Sequence, residues 1–218
     1  MTTVLLVEDH ATVSFALGAA LRAEGMRVET APLESLDGLL AFAAALRPDV
    51  VLLDLDLGGA IGDGGDLVAD LAAVAGQVVM LTGAMDFNRI AACLESGASD
   101  FVLKSEPYNT VLAAVEEAAA GGTRLRPAQR ERLLADLVRH RRDEGARQGA
   151  LERLSSRERD VLAAMVNGQL AEQIAAASGV SEATVRSQIR GVLTKLGVSS
   201  QLAAVAVARR AGWSPDSQ

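Results

Sequence analysis

Residues 50–58 read Val-Val-Leu-Leu-Asp-Leu-Asp-Leu-Gly. Four apolar residues, Val50–Leu53, run straight into a carboxylate at Asp54. A short run that is apolar at every position is how a strand buried on both faces of a parallel sheet reads, because neither face meets water. Val78–Leu81 (VVML) repeats the pattern. Working outward, Val4–Val7, Arg27–Thr30 and Phe101–Leu103 complete five predicted strands. Helical stretches fall near Ala11–Glu24, Ser35–Leu46, Asp66–Ala75, Asn88–Ser96 and Asn109–Ala119. Alternating strands and helices predict an α/β doubly wound parallel sheet with helices on both faces, a flavodoxin-like layout. Such sheets bind ligands outside the carboxyl ends of their strands.

The 218-residue chain is 50% hydrophobic and 22% charged, a globular balance that excludes disorder throughout. Its longest unbroken apolar run, Leu39–Leu46, is far short of the roughly 20 residues a membrane span needs. The start MTTVLLVEDH has no basic region and acquires acids at once, unlike a secretory signal. A cytoplasmic protein without a membrane partner is expected. Cys93 is the only cysteine, and His10 and His140 are the only histidines, so neither an internal disulfide nor a zinc knuckle can form. Neither histidine has a setting that suggests nucleophilic catalysis. With aromatics at 3%, base-stacking platforms for single-stranded nucleic acid are not expected.

Charge divides the chain. Residues 1–120 carry 18 acids against 5 bases, residues 121–150 carry 4 against 8, and residues 151–218 carry 6 against 8. An acidic domain (1–120), a basic linker (121–150) and a mildly basic domain (151–215) follow. The acidic part suits a metal or a regulatory partner, and the basic part suits nucleic acid. Gly121-Gly122 breaks the fifth helix. Within the linker, Leu133, Leu134, Leu137 and Val138 predict a helix over Ala128–Arg142 with flexible ends.

The polar residues that follow the predicted strands form a set: Glu8-Asp9 after the first, Asp54 after the third, Thr82 after the fourth and Lys104 after the fifth. All lie at carboxyl ends, so all can converge on one crevice. Three carboxylates placed together repel unless a cation joins them. Mg²⁺ takes oxygen ligands and keeps several waters, which suits an open cluster. A lysine offsets charge and can hold a phosphoryl oxygen, and a threonine hydroxyl can donate to another. Asp54, at the centre, is then free to act as a nucleophile toward phosphorus. An acid after a strand is commonly a solvated loop residue or a helix cap, but chance rarely fills every strand end with a matching type.

The order Glu8-Asp9, Asp54, Thr82, Lys104, with the stretch Gly97–Lys104 (GASDFVLK), closely resembles the receiver domain of bacterial response regulators. The resemblance covers roughly residues 2–120. It implies that Asp54 accepts a phosphoryl group from a sensor histidine kinase. It further implies that Glu8, Asp9, Asp54 and the backbone carbonyl of Asp56 hold Mg²⁺, and that Thr82 and Phe101 form a switch pair. In that pair the hydroxyl turns to the phosphoryl group and the ring follows into the vacated space. One departure is that Gly58 stands where the family usually has proline, in a loop a few residues longer whose glycines predict flexibility.

Residues 151–213 read as all-helical. Ser155 with Glu158 three positions on makes a capping box before a helix carrying Val161, Leu162, Met165 and Val166, which Gly168 can end. A short helix over Ala171–Ala177 and the turn Ser178-Gly179-Val180 follow. Ser181 can cap a third helix reaching Leu196, and a fourth runs from Ser199 to Arg210. On the third, Val185, Ile189, Val192 and Leu196 form an apolar stripe, while Arg186, Ser187, Arg190 and Thr194 fall elsewhere. This fits a helix-turn-helix, whose second helix enters the major groove of double-stranded DNA, where arginine pairs bidentately with guanine.

Leu154–Glu158, Ile174-Ala175, Val180-Ser181, Thr184-Val185-Arg186 and Lys195–Val198 together resemble the four-helix DNA-binding domain of NarL/FixJ (LuxR-type) regulators. That resemblance implies base contacts from Arg186, Ser187 and Arg190, with Thr184 and Lys195 nearer the phosphates. It implies promoter DNA as partner, with RNA polymerase as a further one, and a homodimer on phosphorylation through the fourth helix. Gln188 departs from the usual histidine, and Ser200-Gln201 replaces a position that is often arginine. A phosphorylation-switched transcription regulator, not an enzyme, is the expectation. The alternatives are a dimerising pseudo-receiver that is never phosphorylated, which leaves the complete residue set without a use, and an aspartate-nucleophile phosphatase. Asp54-Leu55-Asp56 is similar to the motif of the latter, but that family carries it on a first strand and adds a larger cap.

Overall fold

The computed structural model describes residues 1–213. The expected end of the last domain, at residue 215, lies outside the described residues. Two compact units are present, Met1–Val138 and the chain from Arg139 onward.

The first unit holds five parallel strands, β1 (Thr3–Val7), β2 (Arg27–Thr30), β3 (Val50–Asp54), β6 (Gln77–Thr82) and β7 (Asp100–Leu103), in the order β2-β1-β3-β6-β7. The intervening β4 (Asp56–Gly58) and β5 (Gly62–Asp63) make a small antiparallel hairpin. The helices are α1 (Ala11–Ala23), α2 (Leu36–Leu46), α3 (Val68–Val74), α4 (Phe87–Glu95) and α5 (Tyr108–Ala119).

Strand alternation builds two cores. Val4, Leu6, Val50, Leu52, Val79 and Leu81 pack with Leu21 of α1 and Val111, Ala114, Val115 and Ala118 of α5. Leu5, Val7, Val51, Leu53, Val78 and Met80 pack with Leu39, Ala43, Leu71, Ile90 and Leu94 of α2, α3 and α4. Helices on both faces are the reason these strands are apolar throughout.

The glycine-rich loop after Asp54 folds back on itself as the β4–β5 hairpin. One local expectation is revised. The third helix begins later than Asp66, because Gly64–Leu67 forms a 3-10 turn and α3 proper starts at Val68. Gly64 is required at that turn, since a Cβ there would meet Asp54 O at 2.0 Å.

The linker helix α6 runs over Pro127–Glu152, longer than its apolar pattern suggested and including Gly145 and Gly149. Its first part belongs to the first unit, where Leu133 and Leu137, with Leu125 just before the helix, are buried in the α2/α3/α4 core. Its last residues, Ala150 and Leu151, are buried in the core of the second unit.

The linker also completes the edge of the sheet. Strand β7 is an edge strand, and an unpaired edge invites pairing with another chain. Thr123 Oγ1 donates to Ser99 O at 2.8 Å, and an Arg124 terminal nitrogen donates to Phe101 O at 3.0 Å. The Phe101 N–H donates to Asp100 Oδ1 at 2.7 Å, and the Leu103 N–H donates to Glu106 Oε2 at 2.8 Å. Side chains thus satisfy backbone groups that no neighbouring strand reaches.

The second unit contains α7 (Ser156–Val166), α8 (Ala171–Ser178), α9 (Glu182–Leu196) and α10 (Gln201–Arg210). Val161, Leu162, Met165, Ile174, Val185, Ile189, Val192, Leu196, Ala204 and Ala208 form its core. The capping box at Ser155 and Glu158 is present, and Ser181 and Ser200 each cap the helix that follows. Gly179, in the left-handed region at φ 66°, ends α8 and makes the tight turn to α9.

Candidate functional site

The carboxyl ends of β1, β3 and β7 bring Glu8, Asp9, Asp54 and Lys104 together. Asp54 is fully buried and Glu8 nearly so, while Asp9 is exposed. Two buried carboxylates need compensation, and Lys104 provides it. Its Nζ lies 2.7 Å from Asp54 Oδ2 and 2.8 Å from Glu8 Oε2. Burial works against the Lys104 charge, yet these two partners hold its pKa above the ordinary lysine value. The other carboxylate oxygen, Asp54 Oδ1, accepts from the Asp56 N–H at 3.0 Å.

Ligand atoms of Glu8, Asp9, His10 and Asp54 lie within 4.8 Å of one another. Hard carboxylate oxygens at that spacing fit a hard divalent cation. His10 had no evident setting in the sequence, but its Nδ1 lies 2.8 Å from Asp9 Oδ1 and 3.0 Å from Glu8 Oε1. Its position immediately after the acidic pair was the signal available.

Thr82 ends β6 beside this cluster, and its hydroxyl donates to Ala84 O at 2.9 Å. The Thr82 carbonyl accepts from the Lys104 N–H at 2.8 Å. Phe101 is half-buried on β7, opposite Met80. Its carbonyl is the one gripped by Arg124, whose Nε also bonds Asp100 Oδ2 at 3.1 Å.

One participant escaped the sequence reading. Arg89 of α4 reaches over the loop after Asp54, donating to Asp56 Oδ1 at 2.6 Å, to Asp63 Oδ1 at 2.8 Å and to the Leu55 carbonyl. Burial opposes its charge, but Asp63 and Asp56 raise its pKa above the ordinary guanidinium value. Cys93 sits nearby, buried, with its thiol pushed up to about 11, mainly by burial, so it is not a nucleophile near neutrality.

In the second unit, α9 exposes Thr184, Arg186, Ser187 and Arg190 on faces away from its buried stripe. Arg186 pairs with Glu182 one turn back at 2.5 Å, and the Thr184 hydroxyl is 2.9 Å from Ser181 Oγ. Lys195 stands apart from these. Its Nζ bonds Glu158 Oε2 at 2.6 Å and the Arg153 carbonyl at 3.2 Å, tying α9 to the start of α7.

The response regulator receiver domain family matches residues 4–116, and the luxR family of bacterial regulatory proteins matches residues 152–208. The nitrate/nitrite response regulator protein NarP of Escherichia coli is 31% identical over 92% of this chain and 91% of its own. The chain belongs to the NarL/FixJ-type response regulators. The transcriptional regulatory protein LiaR of Bacillus subtilis is 27% identical to this regulator over 96% of the chain and 98% of its own. Among solved structures, the RcsB response regulator of Salmonella typhimurium aligns over 96% of this chain and 98% of its own, with a TM-score of 0.52 and 24% identity. That likeness concerns the fold of a flavodoxin-like receiver followed by a helical domain. This response regulator is therefore a two-component protein with a DNA-binding domain of the LuxR type.

Proposed function

We propose that this response regulator is a phosphorylation-switched transcription regulator in which Asp54 accepts a phosphoryl group from a sensor histidine kinase. One observation carries the reading: a fully buried carboxylate with Lys104 on one oxygen and the Asp56 N–H on the other. In the transfer, an Asp54 oxygen attacks phosphorus and the phosphorus–nitrogen bond of the kinase's phosphohistidine breaks. The bond electrons leave on the imidazole nitrogen, which takes up a proton. Lys104 Nζ stands where it can pair with a phosphoryl oxygen, and the Thr82 hydroxyl can reach another by releasing Ala84 O. Phe101 then turns into the space the threonine leaves.

Glu8, Asp9, Asp54 and the backbone carbonyl of Asp56 would hold Mg²⁺. When bound, the ion supplies positive charge that offsets the carboxylates and the incoming phosphoryl oxygens. The chain's own chemistry is limited to accepting the phosphoryl group and losing it to water, so it is not a turnover enzyme.

Residues 1–120 receive the signal, residues 121–150 link, and residues 151–215 bind promoter DNA. Arg186, Ser187 and Arg190 contact bases, and Thr184 and Lys195 lie toward phosphates. Phosphorylation favours a homodimer through α10, with RNA polymerase as a further partner at the promoter. Two copies on one site gain avidity through effective concentration, which a basic excess of only two charges per domain needs. No single helix among the described residues is long and apolar enough to cross a membrane, in keeping with a cytoplasmic site of action.

Incubation with labelled acetyl phosphate, with and without Mg²⁺, tests the acceptor. Wild type should take up about one label per chain only with the metal, and Asp54→Asn none. Full labelling of Asp54→Asn would overturn the assignment.

A further inference from the structure

We propose that Arg89 is a positioning residue for the phosphoacceptor, holding the Leu55–Asp56 peptide so that its N–H meets Asp54 and its neighbour carbonyl is placed for metal. The inference rests on the reading of Asp54 as phosphoacceptor.

A trans peptide points its C=O and N–H in opposite directions. At the unit joining residues 55 and 56, the N–H end donates to Asp54 Oδ1 at 3.0 Å. The C=O end accepts from the Gly64 N–H at 2.9 Å and from an Arg89 terminal nitrogen. One guanidinium therefore grips the back of the peptide whose front touches the acceptor. A charged donor on the carbonyl polarises the unit and strengthens its N–H as a donor.

The same guanidinium holds the Asp56 side chain, so residue 56 is tethered at two points on either side of its nitrogen. Asp56 and Asp63 face each other across the hairpin, a pairing of like charges that repels unless a cation joins it. Arg89 binds both. The hairpin then lies against the site: a Cβ at Gly58 would sit 3.7 Å from Asp9 Oδ2. Arg89 is itself fixed at its root, because Asp86 caps α4 by accepting from the Asn88 and Arg89 N–H groups at 3.0 and 3.1 Å.

The full-length chain tests this through Arg89→Ala, Arg89→Lys and Asp63→Asn. Mg²⁺ affinity is followed from the ¹H–¹⁵N resonance of the Asp56 amide, and acceptor chemistry from labelling with acetyl phosphate. Groups that orient a ligand-bearing residue typically change metal affinity by about 10-fold or more when lost. Arg89→Ala should weaken Mg²⁺ binding to that extent, slow labelling without abolishing it, and move the Asp56 amide resonance before any metal is added. Arg89→Lys, with one ammonium for three acceptors, should fall between the two. Asp63→Asn should shift the amide in the same direction by less. If Arg89→Ala does not fold, the lysine and Asp63 variants carry the same readouts. Wild-type affinity, labelling rate and amide position in these variants would mean that the backbone hairpin alone sets the peptide, and would overturn the proposal. Failure of wild type to label would instead count against the Asp54 reading, while the amide and Mg²⁺ measurements still report on Arg89.

Discussion

Lys104 Nζ lies 2.7 Å from Asp54 Oδ2, joining the ends of β7 and β3 across fifty positions of chain. The same ammonium reaches Glu8, so a single cation compensates two buried carboxylates. Removing one partner of a buried pair leaves uncompensated charge. Lys104→Ala should therefore destabilise the metal-free protein by about 2–3 kcal/mol, toward the low side because the lysine is partly exposed. Mg²⁺ should recover part of the loss by supplying the missing charge. Urea unfolding in chelator and in excess Mg²⁺ measures both, and an equal loss in the two conditions would show that the cluster does not take the ion.

Arg124 secures the open edge of the sheet. Its side chain closes the edge of β7 on Phe101 O and bonds Asp100 Oδ2 and Thr110 O. Arg124→Ala leaves the Phe101 carbonyl without its donor and removes the charged partner of the buried Asp100 carboxylate, which keeps only the Phe101 and Arg124 backbone N–H groups, and should cost about 1–3 kcal/mol. Hydrogen exchange of the β7 and β6 amides in the folded protein should rise with it. Unchanged protection along β7 would mean that water satisfies the edge equally well.

Glu158 sets a pH dependence in the second unit. Burial works to raise its pKa, but Lys195 and both Ser155 donors outweigh it and hold the carboxyl below the ordinary value of 4.5. A carboxylate depressed on folding contributes stability that is fully present above its unfolded pKa and is lost as pH falls through the lower folded one. Glu158→Gln should cost about 1 kcal/mol near neutrality, the size of a capping interaction at a solvated helix end. The gap between wild type and variant should close as pH drops below 4.5. Thermal melts of the full chain from neutral to acid pH test this, and a gap independent of pH would contradict it.

Arg186 and Arg190, proposed to contact bases, differ in what they would give up on binding: Arg186 has an acidic partner one turn back. Losing one bidentate base contact should cost about 1–3 kcal/mol and relax preference at one base pair. Arg186 is already paired with Glu182, so Glu182→Gln should free it and tighten binding. Lys195 bonds Glu158 and the Arg153 carbonyl, so Lys195→Ala should lower stability of the second unit as well as the salt slope of DNA binding, the latter by about one for a phosphate contact. Binding to matched and mismatched sites at several salt concentrations separates these effects. Wild-type discrimination in both Arg186→Ala and Arg190→Ala would exclude α9 as the reader.

The amino-acid sequence by itself determined the five strands, the placement of Glu8, Asp9, Asp54, Thr82 and Lys104 at their carboxyl ends, and the capped helices from Ser155 onward. These are local matters: side-chain alternation, helical periodicity and capping act within a few residues, and parallel topology then carries every strand end to one side. Helix α6 was only half legible, because its polar later turns lack an apolar stripe and two glycines argued against it. Outside the strand-end cluster, the long-range polar contacts were decided by tertiary structure alone. Arg89 meets Asp56 and Asp63 across 33 and 26 positions, Arg124 meets Asp100 across 24, and Lys195 meets Glu158 across 37. In sequence nothing marks these charges as partners of one another. Only when the packed helices bring them to within about 3 Å in a partly desolvated setting does the electrostatic attraction become strong enough to choose a partner, and periodicity carries no information about that choice.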